Sequence, residues 1–132
     1  MNDLHHAHIF ASDLSASVAW YRTMLGGEVA YDGDFGGARN VFMRIGSGRL
    51  HLYDQLPRGS ASAVHHLGFR SGDLAGLVTH MRAQGIEFRG DIHEYGFWRY
   101  IMCAAPDGVL LELFEVDGDD LPPELATYFN ES

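Results

Sequence analysis

The segment His6-Ala7-His8-Ile9-Phe10-Ala11-Ser12-Asp13-Leu14 returns as His66-Leu67-Gly68-Phe69-Arg70-Ser71-Gly72-Asp73-Leu74. In each copy a histidine is followed seven residues later by Asp-Leu, and the copies lie 60 positions apart. A helical pattern follows both. Leu14, Val18, Tyr21 and Leu25 keep one face of the first, and Leu74, Leu77, Val78 and Met81 one face of the second. Asp13 and Asp73 stand where a side-chain oxygen caps the first free N–H groups of a helix. Gly26-Gly27 and Gly85 stand where the helices should stop, because glycine accepts the left-handed conformation that ends a helix.

The match continues outward. Val41 to Ile45 reads as a strand, Gly46-Ser47-Gly48 as a turn and Arg49 to Tyr53 as the return strand. Arg99 to Ala104, Pro106-Asp107-Gly108 and Val109 to Phe114 repeat that order. Both return strands place a polar residue between leucines: Leu50-His51-Leu52 and Leu111-Glu112-Leu113. The reading is an α+β chain of two βαβββ modules, about residues 4–56 and 64–116. Residues 57–63 form a linker and 117–132 a tail. In the tail, Pro122-Pro123 opens a short helix from Glu124 to Phe129, with Leu125, Tyr128 and Phe129 able to pack. Two copies of this length make one paired domain rather than a solenoid.

Side chains alternate across a strand, so the polar positions can be sorted by face. Leu50 and Leu52 face the helix layer, which puts His51 opposite, with Arg49 and Tyr53. Leu111 and Leu113 do the same for Glu112. His6 and His8 share the face opposite Ala7, Ile9 and Ala11, and His66 and Arg70 the face opposite Leu67 and Phe69. His5 and His65 alternate away from that face. Imidazole nitrogen and carboxylate oxygen are natural ligands for divalent Zn, Ni, Fe, Co or Mn. The face that carries His6, His8, His51, His66 and Glu112, with Arg49 and Arg70, is therefore a candidate metal-binding surface. His93 falls in a glycine-bounded connection before a strand, and Cys103 reads as a small buried hydrophobe.

Composition narrows the partners. There are 9 Lys and Arg against 18 Asp and Glu, a net charge of −9. That balance opposes a nucleic-acid partner, which needs clustered cations, and an anionic membrane surface. Hydrophobic residues make up 46% of the chain, enough for a packed core. No apolar run is long enough for a membrane span, and the N-terminus lacks the features of a signal peptide, so the expected location is cytoplasmic. A single cysteine excludes an intrachain disulfide framework and a Cys-rich zinc site. Neither a phosphate-binding Gly-Lys-Ser/Thr loop nor a Gly-x-Ser-x-Gly elbow is present.

The chain resembles the vicinal-oxygen-chelate superfamily, which includes glyoxalase I, methylmalonyl-CoA epimerase, extradiol dioxygenases and the fosfomycin- and bleomycin-resistance proteins. The resemblance runs from residue 4 to about 116. It rests on His-x6-Asp-Leu at His6 and His66, on Ser17-Val18-Ala19-Trp20-Tyr21 ending at Leu25-Gly26, and on Pro106-Asp107-Gly108-Val109-Leu110-Leu111-Glu112-Leu113. It implies a U-shaped half-barrel with a metal-binding cavity, ligands at His6, His51, His66 and Glu112, and a homodimer. Glyoxalase I carries a glutamate at the place of His51. Extradiol dioxygenases use two histidines and a glutamate at the places of His6, His66 and Glu112.

Three functions stay open on that resemblance. The first is a metal-dependent lyase or isomerase in which a divalent ion polarises a chelated, small oxygenated substrate while Glu112 or His51 removes an α-proton. His8, Arg49, Tyr53, Arg70 and Tyr100 would contact that substrate. The second is an Fe(II) extradiol ring-cleaving dioxygenase, and the third a small-molecule binding or antibiotic-resistance protein. Phe97 and Trp98 join Tyr53 and Tyr100 as candidate pocket aromatics.

Overall fold

The computed structural model describes residues 4–35, 37–57 and 64–130, without the side chains of Phe35, Glu124, Tyr128 and Asn130. Most of the expected linker and the expected packing of Tyr128 thus lie outside the described residues. The chain divides into two compact units, Met1–Ala63 with Ala105–Gly108, and Val64–Ala104 with Val109–Ser132. The fold is α+β, with two four-stranded mixed sheets and their helices.

In the first unit β1 (Ala7–Phe10) leads into α1 (Leu14–Leu25), then β2 (Glu28–Phe35), β3 (Ala38–Ile45) and β4 (Gly48–Tyr53). The second repeats the order with β5 (Leu67–Arg70), α2 (Leu74–Ala83), β6 (His93–Tyr95), β7 (Trp98–Ala104) and β8 (Leu110–Val116). The sheets run β1-β4-β3-β2 and β5-β8-β7-β6. The first strand of each unit lies parallel to its last, with His8 opposite His51 and Gly68 opposite Glu112. The other pairings are antiparallel.

The helix signals act as the sequence predicts. The Asp13 carboxylate accepts from the Ala16 N–H at 3.0 Å, and Asp73 from that of Gly76 at 3.0 Å. Gly26 closes α1 with φ of 69°. α2 ends at Ala83, two residues before Gly85, which takes φ of 92°. The buried stripe of α1 differs from the apolar pattern: it is Leu14, Ser17, Tyr21 and Met24. Ser17 is only 2% exposed, so a small polar residue occupies a core position that apolar periodicity skips. His93 also differs from expectation. It starts a short strand, because residues 93–95 pair antiparallel with Trp98–Tyr100.

Each core lies on the helix face of its sheet. Leu50, Leu52, Val41 and Met43 are buried with Leu14 and Tyr21 in the first unit, and Leu111, Leu113, Ile101 and Cys103 with Leu74 and Met81 in the second. Burial pushes the Cys103 thiol up to about 11, so it is a neutral, unreactive core residue. Glu115 joins helix to sheet: it accepts from the Leu74 N–H at 3.1 Å and pairs with Arg99. No described helix is long and apolar enough to cross a membrane.

Candidate metal centre

The alternation that buries the leucines leaves His51 and Glu112 on the opposite sheet faces, both partly exposed. In the first unit His51 is the middle of a stack. The His6 ring lies 3.7 Å from it at 12°, and the Phe42 ring 3.8 Å from it at 15°. Phe42 is there because it pairs directly with His51 across β3 and β4. His8 meets Tyr53 at 5.0 Å and Phe10 at 5.4 Å, ring to ring.

In the second unit His66 Nε2 lies 3.9 Å from Glu112 Oε2, with side-chain exposures of 34% and 17%. Two donors that each sit at the usual 2.0–2.2 Å from one ion are at most about 4.3 Å apart. This nitrogen and this oxygen fall within that limit, and their chemistry suits a borderline divalent ion. The same sheet face as Glu112 carries aromatic rings: Trp98 stacks on Phe114 at 4.4 Å, and Tyr100 on His93 at 5.2 Å. Phe129 of α3 (Pro123–Asn130) packs against Trp98 at 5.5 Å.

The candidate substrate residues fall out unevenly. Tyr53 and Tyr100 stand half-buried on the same faces as His51 and Glu112. Arg49 is exposed at the start of β4, opposite Arg44. Arg70 is engaged by the tail: it donates to the Phe129 carbonyl and lies over the Phe129 ring at 5.5 Å.

His5 and His65 depart from the expectation that they point away. Their Nδ1 atoms meet those of His6 and His66. The reason is local. β1 starts at Ala7 and β5 at Leu67, so both His-His pairs precede the strands and strand alternation does not govern them. The repeated His-His dipeptide was the available signal. Among the described residues His5, His6 and His51 form a group of three whose ligand atoms lie within 4.8 Å of one another.

Burial pushes the His51 imidazole below its ordinary 6.5, and the charges of His6, His5 and His8 push it further. His8 is lowered by burial and then by His6. Both rings therefore favour the neutral form, the one able to bind a metal. The sign for stability follows. As pH falls from 6.5 through the folded values, the unfolded chain takes up more protons than the native one, so native stability drops. We expect the urea midpoint of the metal-free protein to be lower at about pH 5.5 than at about pH 7.5, with a smaller drop in a His8→Gln/His51→Gln variant. An equal drop in that variant would assign the effect to other groups.

The Glyoxalase/Bleomycin resistance protein/Dioxygenase superfamily model matches residues 3–113, and the chain belongs to that superfamily. Solved structures repeat the fold. The fosfomycin resistance protein FosX from Listeria monocytogenes, crystallised with Mn(II) and sulfate, is 16% identical with a TM-score of 0.73, covering 91% of this chain and 97% of its own. Lactoylglutathione lyase from Agrobacterium tumefaciens is 23% identical with a TM-score of 0.66, covering 87% and 94%. A glyoxalase family protein from Enterococcus faecalis is 28% identical with a TM-score of 0.73, covering 86% and 97%. No curated protein matches the chain.

Proposed function

We propose that this chain is a metal-dependent lyase or isomerase acting on a small substrate that presents two oxygens. The observation that carries the reading is the His66 Nε2 and Glu112 Oε2 pair, two donors 3.9 Å apart on an accessible sheet face. His6 and His51, in the corresponding places of the first unit, are the further candidate ligands that the family resemblance implies. Crystallisation of FosX with Mn(II) supports a divalent ion.

When bound, the ion supplies Lewis-acid polarisation of the substrate oxygens. The remaining work belongs to side chains. His51, held neutral and stacked between His6 and Phe42, is a base already poised to accept a proton at neutral pH. Glu112 is the alternative base. Tyr53 on the His51 face and Tyr100 on the Glu112 face are candidate substrate contacts, and Arg49 is a cation for a substrate carboxylate. Arg70 reaches a substrate only if it leaves Phe129. The working form is a cytoplasmic homodimer, in line with the chain's resemblance to a superfamily whose members pair their modules across a two-fold axis.

The test is metal analysis followed by a solvent-deuterium exchange assay on hemithioacetal and 2-oxo substrates. Exchange that stops on chelation and returns with Mn(II), Zn(II) or Ni(II) is the expected result. Oxygen uptake with catechols and Fe(II), without exchange, replaces this reading with ring cleavage. Ligand binding that ignores chelator replaces it with a metal-free binding protein.

A further inference from the structure

Each unit opens with two adjacent histidines. In both pairs the rings meet edge to face, at 5.4 Å and 85° for His5 and His6, and at 5.1 Å and 85° for His65 and His66. In both, the atoms that meet are the two Nδ1 nitrogens, at 3.1 Å and 2.8 Å. The same atoms meet at the same angle in two copies 60 residues apart, so the geometry is a property of the repeat.

Two neutral imidazoles facing each other through Nδ1 share one hydrogen: one ring donates and the other accepts. For the second pair the outer nitrogen is informative. His66 turns Nε2 toward Glu112, the atom proposed above as a ligand. A ring that offers its Nε2 lone pair to an ion carries its hydrogen on Nδ1, and that hydrogen needs an acceptor. His65 Nδ1 is at the right place, and His5 Nδ1 serves His6 equally.

We propose that His5 and His65 are positioning residues for the metal centre. Each accepts the Nδ1–H of the histidine that follows it, fixing that ring's orientation and leaving its Nε2 open for the ion. The inference rests on the metal-site reading above. The usual acceptor behind a metal-binding histidine is a carboxylate, a backbone carbonyl or water. A neutral imidazole does the same work without adding negative charge beside the site. The accepting ring keeps its own hydrogen on Nε2, and both His5 and His65 are exposed enough for water to satisfy it.

Zn(II) is the probe, because it is spectroscopically quiet. The full-length protein labelled with 15N is loaded with Zn(II), and long-range 1H–15N spectra report which ring nitrogens carry hydrogen. We expect Nδ1–H on His6 and His66, and Nε2–H on His5 and His65. Affinity is read by competition with a chromophoric chelator. His65→Ala should weaken Zn(II) binding about tenfold to hundredfold. His65→Asn, whose amide oxygen reaches the place of Nδ1, should restore most of it. A tight His65→Ala variant, or an Asn variant no better than Ala, overturns the proposal while Glu112→Gln still loses the metal. Zn(II) bound directly to His5 or His65 overturns it too, and points to the His5, His6 and His51 group as the ligand set. If Glu112→Gln and His66→Gln bind Zn(II) as tightly as the parent, the metal-site reading itself fails and takes this inference with it.

Discussion

Glu112→Gln should abolish metal-dependent turnover while leaving the fold intact. The side chain is 17% exposed and faces away from the core formed by Leu111 and Leu113, so the substitution opens no cavity. Its consequence is chemical: the amide keeps the shape and loses the negative charge. As a base, Glu112 is worth about 10²–10⁴ in rate. As a ligand, its loss should cost more than the 10–100-fold typical of an outer-shell partner. Turnover, bound metal per chain and the thermal midpoint should be measured together. Lost metal with the thermal midpoint of the metal-free parent is the expected combination. A variant that retains both metal and rate removes Glu112 from the site.

The second large effect concerns stability. Leu52 is fully buried on β4, between Ile9 on β1 and Val41 on β3. Leu52→Ala leaves a cavity that three strands cannot close without shifting the register that carries His51. A buried leucine truncated to alanine costs about 2–5 kcal/mol. Domains of this size are stable by about 5–15 kcal/mol, so the loss is a large share of the total. The urea midpoint should fall with an unchanged slope. A loss below about 1 kcal/mol would mean that the site collapses freely around the smaller side chain.

Much of this architecture is legible in the chain because the repeat constrains it twice. Asp13 and Asp73 mark both helix starts, and the Leu-His-Leu and Leu-Glu-Leu strands mark which face each polar residue takes. What escapes is what lacks an apolar rhythm. β2 carries Glu28, Asp32 and Asp34 along an exposed sheet edge, and β6 is three exposed residues. Neither has a buried side to advertise it. Ser17 escapes because a hydroxyl fills a core slot. His5 and His65 escape because they lie two residues before their strands, where alternation no longer sets the direction of a side chain. The candidate ligands were legible from alternation together with the family resemblance. The contact of His66 with Glu112 was not, since it depends on which strands become neighbours.

That neighbourhood separates two kinds of change in evolution. The proposed donors lie just before the first strand and on the last strand of each unit, strands that run side by side, while the two middle strands form a hairpin at the other side of the sheet. Phe42, Trp98 and Tyr100 belong to those hairpins. A lineage can therefore lengthen, shorten or repaint a hairpin to suit a new molecule while the donor pair keeps its spacing. On the proposed reading, inherited chemistry and acquired specificity would be carried by different strands of the same small sheet.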